Sequence, residues 1–323
     1  MDVLDKIKAP VAAEMEQFRE AFRQTLYSDN PLLEQVVEHL LKAPGKQLRP
    51  MLVMLAARMT GQVSEKVIHV ALALEMLHTA SLVHDDVVDE SDRRRGLPSV
   101  NALLSNQIAV LSGDFILSKA LECAARTDDV RIVRYIAQLG QSLADGELLQ
   151  LNSLDSEELS ESVYFDIIGR KTASLFSLCA RLGALAAGSS EADAERMAQF
   201  GKLIGICFQL RDDVFDYGTA EVGKPLGNDM KEGKLTLPAI YAVEHSQDKA
   251  MFALALKVRR REASSAEIQQ LIDFTVSQGG LEYVRWHMKD LMGMADGLID
   301  DTRDPAIVQS LHQLAAFVAE RKS

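Results

Sequence analysis

Aromatic side chains are scarce in this 323-residue chain: Phe, Trp and Tyr together make up only 6% of it. Ala, Leu and Glu are plentiful instead, and these residues favour α-helix. Cysteine is rare as well, and Cys123, Cys179 and Cys207 lie far apart without a CxxC pair. This spacing argues against a disulfide framework or a cysteine zinc site and favours a reducing compartment.

Long apolar runs and a basic leader are also missing. No run of eighteen apolar residues occurs, so we expect no transmembrane segment. The first six residues lack the basic-then-apolar layout of a signal peptide, and we therefore expect a cytoplasmic protein. Basic residues are the minority, 35 against 47 acidic ones, and the net charge of −12 argues against a nucleic-acid partner.

Helical periodicity dominates the sequence, and strand alternation is hardly visible. Apolar residues spaced three or four apart begin near the N-terminus, at Met15, Phe18, Phe22 and Leu26. Residues 218–236 are glycine-rich and charged, which predicts an irregular segment. No linker divides the chain, so we predict one all-α domain over residues 1–323. Its catalytic core would span about 40–240 and an outer helical layer about 250–323.

Asp85, Asp86 and Asp89 form a DDxxD motif at the end of a long apolar helical segment. On a helix, Asp85 and Asp89 lie one turn apart on the same face, where like charges repel. Mg²⁺ would relieve this repulsion, because it prefers carboxylate oxygen atoms and keeps positions open for phosphate. A solvated acidic helix end would explain a single motif equally well.

A second DDxxD motif consists of Asp212, Asp213 and Asp216. It lies 212 − 85 = 127 residues downstream of the first and again follows an apolar helical run. An isolated acidic helix end has no reason to recur in this form. The second copy therefore favours metal binding for both motifs.

Cationic and polar side chains accompany the two motifs. Each has a simpler explanation, because loop cations are mostly exposed and a lone helical His is usually a core residue. Arg and Lys near a helix N-terminus can also bind phosphate, and a Lys inside an apolar helix is costly unless it meets an anion. Together they predict a polyanion site; the residues are Lys46, Arg49, His78, Arg94, Arg95, Lys171, Thr172, Gln209, Lys224 and Lys234.

These motifs resemble those of the trans-isoprenyl diphosphate synthases, most closely the long-chain polyprenyl type such as octaprenyl diphosphate synthase. They occur in family order over roughly residues 40 to 240. The matching segments are 45–50, 82–89, 94–96, 113–115, 146–150, 171–173, 208–213 and 227–238. Two positions depart from the family pattern: Gln47 stands where a basic residue is frequent, and Asn228 where Asp is usual.

The resemblance implies an isoprenoid synthase bundle around a deep central active-site cavity, with a Mg²⁺-dependent prenyltransferase activity. Isopentenyl diphosphate would be added repeatedly to an allylic diphosphate such as farnesyl diphosphate. The product would supply ubiquinone-type side chains, and a homodimer is expected. By resemblance, Asp85 and Asp89 hold two Mg²⁺ and Asp212 and Asp216 a third. The other implied roles are allylic diphosphate binding by Arg94, Lys171, Lys224 and Lys234, isopentenyl diphosphate binding by Lys46, Arg49, His78 and Arg95, and contact with the prenyl group by Thr172 and Gln209.

Product length can be argued from the helix that carries the first motif. Ala80 and Ser81 lie five and four residues before Asp85, so nothing bulky blocks a growing chain about one turn below the metal. A long product, around C40, is therefore predicted. Deeper residues such as Met76, or those on the helix that contains Leu121, Cys123 and Ala124, would form the floor.

Alternative functions belong to other classes. A shorter-chain farnesyl or geranylgeranyl synthase shares every motif and differs only in the depth of the tunnel. A non-catalytic subunit of a heteromeric synthase would lack the aspartates that are intact here. A terpene cyclase would have little need for Lys46 and Arg49, and a calcium-binding loop would need a different spacing of carboxylates.

Overall fold

A computed structural model describes residues 2–43, 45–217 and 227–320, and these are almost entirely helical. The predicted all-α class is confirmed. The helices before residue 126 are α1 (Val3–Lys8), α2 (Ala12–Leu26), α3 (Pro31–Leu41), α4 (Leu48–Thr60), α5 (Glu65–Val88), α6 (Val100–Leu103) and α7 (Asn106–Ala125). The next are α8 (Val130–Leu154), α9 (Glu161–Ile168), α10 (Ser174–Ala186) and α11 (Glu191–Phe215). The last are α12 (Asn228–Lys231), α13 (Leu237–Ser246), α14 (Lys249–Arg259), α15 (Ser265–Ser277), α16 (Gly280–Asp296) and α17 (Pro305–Glu320).

A short hairpin follows the first acidic motif. Its strands β1 (Arg93–Arg94) and β2 (Leu97–Pro98) are antiparallel, and Arg94 is paired with Leu97. Arg95 and Gly96 make the turn, and both have positive φ angles, of 51° and 80°. The polar segment expected after the motif is therefore an ordered hairpin that presents its arginines at defined positions.

The chain forms two compact units. Unit 1 comprises Met1–Gly140, Leu178–Ala198 and Asp301–Ser310, and unit 2 comprises Gln141–Ser177, Gln199–Asp300 and Leu311–Ser323. Each unit thus combines segments that are distant in sequence. The predicted single domain, with its core and outer layer, stays a prediction.

Helix α5 is the core helix of unit 1. By length and composition it could cross a membrane, but 72% of its most apolar stretch of 18 residues is buried within the protein. Val70, Ala73 and Leu74 have no exposed surface. Burial around most of its circumference explains why this helix is apolar on nearly every face.

A π-helical turn interrupts the long helix that the sequence predicts after Ser160. The Ser160 hydroxyl accepts a hydrogen bond from the Val163 N–H at 3.4 Å, as an N-cap should. Helix α9 then ends at Ile168, and Gly169–Ala173 forms the π turn before α10 begins. Such turns are frequent at functional sites, and this one contains Lys171 and Thr172.

Candidate active site

Asp86, the middle residue of the first acidic motif, is bound to the hairpin. Its Oδ1 accepts hydrogen bonds from Arg94 Nε at 2.9 Å and Nη2 at 2.5 Å, and the carboxylate is buried. Asp85 is half-buried and Asp89 is exposed at the C-cap of α5. The side chain predicted to bind allylic diphosphate, Arg94, therefore pairs with Asp86 in this structure.

The structure shows why glycine occupies position 113 in the Gly-Asp-Phe segment, residues 113–115. A Cβ at this position would lie 2.1 Å from Nε2 of His84, so the imidazole requires glycine on α7. The same nitrogen lies 3.2 Å from the Val110 carbonyl oxygen and 3.5 Å from Asp114 Oδ1. These contacts hold the side chain that immediately precedes Asp85.

The turn before α4, residues 45–47, brings together predicted phosphate-binding groups. Gly45 has a φ of 70°, and a Cβ there would lie 2.6 Å from Cζ of Arg95. Arg95 also donates from Nη1 to the Ala43 carbonyl at 2.8 Å. Gln47 is left-handed, with a φ of 51°, and Lys46 between them is exposed. Arg95 therefore packs directly on the turn that carries Lys46; residues 45–47 are called the basic turn below.

Glu75 and His78 lie buried on α5 beside these cations. Each side chain is 8% exposed, and Glu75 Oε2 has no hydrogen-bond partner among the described residues. Burial raises the pKa of Glu75, although the positive charges of Arg49 and Arg95 act to lower it. Burial and the same two arginines hold the pKa of His78 well below its usual range. His78 is therefore a neutral hydrogen-bonding group near pH 7.

A cavity in unit 1 opens beside the basic turn. It has cationic and apolar walls, contributed by α2, α3, α5 and the hairpin. Its lining includes Arg19, Arg23, Gln47, Glu75, Arg95 and Leu82. A cavity of this character suits a small amphiphilic anion.

In unit 2, Asp213 is the buried member of the second acidic motif. Its oxygen atoms accept hydrogen bonds from the Tyr164 hydroxyl and, at 2.9 Å, from Gln209 Nε2. Gln209 Oε1 accepts in turn from the Thr172 hydroxyl at 2.9 Å. The structure thus joins three predicted site residues to Tyr164 in one hydrogen-bonded chain.

Asp216 and Asp229 form the other side of this acidic group. Asp216 accepts from the backbone N–H groups of Asn228 at 2.8 Å and Asp229 at 3.0 Å, at the start of α12. Burial and the charge of Asp229 raise the pKa of Asp213 to about 8. Burial and the charge of Asp216 raise the pKa of Asp229 to about 7. The ionised form of both carboxyls is therefore disfavoured at this position.

Lys171 projects from the π turn toward α8. Its ammonium forms an ion pair with Glu147 and donates to Gln150 Oε1 at 3.0 Å. A Cβ at Gly146 would lie 2.9 Å from Cγ of Lys171, so a glycine there admits the lysine. Lys171, Thr172, Gln209, Asp213, Asp229 and Lys234 line one cavity in unit 2. Lys234 pairs with Glu232 at 2.7 Å, and the predicted Lys224 lies outside the described residues.

The donor chemistry of both motifs suits Mg²⁺. Among the described residues, no three His, Cys, Asp or Glu side chains are arranged as a closed metal site. Mg²⁺ does not require one, because it binds through one or two carboxylates and completes its shell with water and substrate phosphate. Carboxyls with raised pKa values at Asp213 and Asp229 fit a cation that would compensate their charge.

Several site residues escaped the sequence analysis. Tyr164, Glu75 and Arg19 belong to no acidic or basic motif, and the helical period gives no sign of their partners. Glu147 and Gln150 lie in a segment that was matched to the family without an individual role. One signal was available for Glu75: it lies three residues before His78, and residues three or four apart share a helix face.

Two acidic motifs and cationic cavities in an all-α protein are features of diphosphate-binding enzymes. A family model described as "Polyprenyl synthetase" matches residues 30–275. An octaprenyl diphosphate synthase from Haemophilus influenzae is 35% identical over 323 residues, which covers 98% of this chain and 97% of the relative. The chain belongs to the polyprenyl synthetase family.

Solved structures agree with this result. A geranylgeranyl pyrophosphate synthase from Bacteroides thetaiotaomicron is 40% identical with a TM-score of 0.88, over 99% of this chain and 100% of that one. A polyprenyl synthase from Caulobacter crescentus, solved with calcium and isoprenyl diphosphate, is 32% identical with a TM-score of 0.91, over 99% and 98%. The fold is the all-α isoprenoid synthase fold, and the chain is a trans-polyprenyl diphosphate synthase, a prenyltransferase whose family acts on isopentenyl and allylic diphosphates.

Proposed function

We propose that this chain is a Mg²⁺-dependent, long-chain trans-polyprenyl diphosphate synthase that makes a product of around C40. Farnesyl diphosphate would serve as the allylic primer, and the product would supply quinone side chains in the cytoplasm. The observation that carries the chain length is the pair of small side chains Ala80 and Ser81, one turn before Asp85 on α5. The octaprenyl diphosphate synthase of Haemophilus influenzae, similar over nearly the whole chain, supports the same length.

Mg²⁺ would supply Lewis-acid stabilisation of the diphosphate that leaves the allylic carbon. Asp85 and Asp89 would hold it in unit 1, and Asp212 and Asp216 in unit 2. Asp86 and Asp213 would act indirectly, since each is bound to another side chain of the protein. The polyprenyl synthase of Caulobacter crescentus was solved with calcium and isoprenyl diphosphate, which supports a divalent cation here.

The side chains of this protein prepare the reaction by binding and orientation. Lys171, and with it Lys234, would exchange a carboxylate partner for allylic diphosphate oxygen atoms. Lys46, Arg49 and Arg95 would hold isopentenyl diphosphate without a metal. Neutral His78 would donate or accept a hydrogen bond there without adding charge.

Thr172 and Gln209 would line the prenyl group beside the leaving diphosphate. Their mutual hydrogen bond fixes the orientation of both side chains. The released diphosphate is a sufficient base for the final proton, and no side-chain base is required. Electrostatic stabilisation of the leaving charge is the main catalytic task.

The burial of individual side chains indicates which of them would form the walls of the proposed chain-length pocket. Ala80 is 2% exposed, and the Ser81 hydroxyl donates to the His78 carbonyl at 2.9 Å, which satisfies it in an apolar setting. Met76 is fully buried and suits the floor. On α7, Cys123 and Ala124 are 1% and 0% exposed whereas Leu121 is 46% exposed, so the buried side of this helix suits the floor and Leu121 does not.

A homodimer is part of the proposal. Helix α7 presents Val110, Leu111 and Leu121, which are 40%, 66% and 46% exposed, and their spacing places them along one side of the helix. A second copy of this chain would cover them. Light scattering at micromolar concentration should give twice the 35.6 kDa mass of the chain.

Incorporation of radiolabelled isopentenyl diphosphate tests the proposal, with farnesyl diphosphate as the primer and Mg²⁺ present. We expect products of around C40 on reversed-phase chromatography and no incorporation with EDTA. Asp85→Asn and Asp212→Asn should each lower the rate by about 10³-fold or more at unchanged thermal stability. Asp290→Asn, at an exposed position of α16 outside the site, is the matched control.

Other outcomes would select the remaining alternatives. A dominant C20 product would favour a shorter-chain synthase, an activity named for the similar protein from Bacteroides thetaiotaomicron. Activity that appears only after addition of another protein would indicate a subunit of a heteromeric synthase. Full activity in EDTA would refute the role of Mg²⁺.

A further inference from the structure

We propose that Arg19, on α2, is a further binding residue for isopentenyl diphosphate and supplies the positive charge that position 47 lacks. This inference rests on the proposed assignment of Lys46, Arg49 and Arg95 to the same substrate. Nothing in the sequence motifs points to α2, which precedes the whole motif region. The contacts of the basic turn nevertheless include Arg19.

Arg19 reaches the basic turn directly. Its Nε donates to Oε1 of Gln47 at 3.1 Å, across 28 positions of sequence. Its Nη1 donates to Glu16, one turn earlier on α2, at 2.5 Å. A guanidinium carries five N–H donors, so these contacts leave capacity for a bidentate bond to a phosphate.

Two guanidinium groups therefore converge on one short turn. Arg95 packs on Gly45 at its beginning, and Arg19 is bonded to Gln47 at its end. Lys46 lies between these two positions and is exposed. Arg19, Gln47 and Arg95 also line the same cavity of unit 1, so a diphosphate at the turn has all three side chains at its border.

The charge balance of this pocket indicates why a cation from α2 would favour diphosphate binding. Glu75 is a buried carboxyl in the cavity wall and offsets part of the charge of Arg49 and Arg95. Gln47 is neutral, so the turn itself contributes one cation, Lys46. A diphosphate without a metal ion carries several negative charges, and a guanidinium delivered by α2 moves the pocket closer to neutrality.

A purely structural role is the competing explanation, in which Arg19 only attaches α2 to the turn. The two roles differ in what they change. A structural bond affects stability and all kinetic constants together, whereas a phosphate contact affects the KM of one substrate. Position 47 offers a further distinction, because a basic residue there would replace the charge without restoring the bond to α2.

The test measures KM for isopentenyl diphosphate and for farnesyl diphosphate separately. Arg19→Ala should raise the KM for isopentenyl diphosphate by about 5- to 20-fold, with kcat and the other KM within about twofold. Gln47→Arg in the Arg19→Ala background should recover most of that loss. Arg126→Ala removes an exposed arginine of the same unit that pairs with Glu122, and it should change neither KM.

Arg19→Gln is the second variant, because it removes the charge but keeps a donor for Gln47, and it should behave like Arg19→Ala. An unchanged KM for isopentenyl diphosphate in both variants would overturn the proposal. An equal rise of both KM values, or a loss that Gln47→Arg does not restore, would assign Arg19 a structural role and also overturn it.

Calorimetric binding of a non-hydrolysable isopentenyl thiodiphosphate separates this inference from the proposed function. The analogue should bind the wild-type chain more tightly than Arg19→Gln, whether or not the wild type elongates a primer. Binding without elongation would refute the proposed function and keep the role of Arg19. Equal binding to both proteins, or none to the wild type, would refute the role of Arg19.

Discussion

The hydroxyl of Tyr164 on α9 donates a hydrogen bond to the carboxylate of Asp213, the middle residue of the second acidic motif. Both side chains are buried in unit 2, and burial together with the charge of Asp213 raises the pKa of Tyr164 well above its usual value. Tyr164 therefore remains protonated at neutral pH and donates this hydrogen bond. It fixes the orientation of the carboxylate between Asp212 and Asp216.

Tyr164→Phe removes this donor and leaves Asp213 with Gln209 as its side-chain partner in the described structure. Asp213 lies next to the proposed metal ligand Asp212, and groups around a metal site affect metal affinity indirectly, so we expect the Mg²⁺ concentration for half-maximal activity to rise about tenfold. The measurement is a Mg²⁺ titration of isopentenyl diphosphate incorporation. Tyr135→Phe, in unit 1, is the matched control, and an identical titration curve for both variants would contradict the role of Tyr164.

Ala80→Phe tests the chain-length pocket. A phenyl group at this buried position fills the space one turn below Asp85, and we expect the main product to shorten from around C40 to C15–C20. The product is analysed by chromatography after dephosphorylation. Ala13→Phe, at an exposed position of α2, should leave the product unchanged. An unaltered product from Ala80→Phe would show that the chain grows elsewhere.

Asp129 links the start of α8 to two cations. Its carboxylate accepts from Arg131 and from Lys66 at 2.9 Å, and Oδ1 accepts from the Arg131 N–H at 3.1 Å as an N-cap. These bonds hold its pKa well below the usual range, with the Arg131 guanidinium as the largest cause. The stability that they contribute is present above the unfolded pKa, about 3.9, and is lost as the pH falls toward the folded pKa.

Asp129→Asn should therefore lower the free energy of unfolding by about 1 kcal/mol at pH 7, because Asn keeps the cap and loses the charge pairing. Asp129→Ala, which loses both, should cost about 2 kcal/mol. Urea unfolding at pH 7 and again below pH 4 measures the pH dependence. A difference between wild type and Asp129→Asn that does not narrow in acid would contradict this assignment.

Gly183 allows the backbones of α10 and α4 to approach within unit 1. A Cβ at this position would lie 2.3 Å from the carbonyl oxygen of Val53, which is backbone and cannot rotate away. Gly183→Ala should destabilise the protein by about 1–3 kcal/mol, measured by calorimetry. Gly140→Ala places a methyl group in open space on α8 and should stabilise by about 0.5–1 kcal/mol. Equal melting temperatures for the two variants would contradict the close approach.

Much of the site was predictable because its chemistry is local in sequence. The spacing of each DDxxD motif places like charges on one helix face. The glycine-rich and basic segments follow one another in the order that is typical of the family, and this order can be read from a single sequence. The all-α class follows from the 3.6-residue period of the apolar residues, and the family was recognised from motifs alone. Of the predicted residues, only Lys224 lies outside the part of the chain that the structure describes.

Contacts between distant segments were decided by tertiary structure. Tyr164 meets Asp213 across 49 positions and Arg19 meets Gln47 across 28, and neither pair has a signature in either segment. The π turn at Gly169–Ala173 could not be predicted either, because its residues fit an uninterrupted α-helix equally well. The sequence alone was enough to propose which groups bind metal and diphosphate, since composition and spacing set charge and helix face. Only tertiary packing determined which of those side chains form hydrogen bonds or ion pairs with other side chains of the protein, because such contacts depend on distance in space and not on distance in sequence.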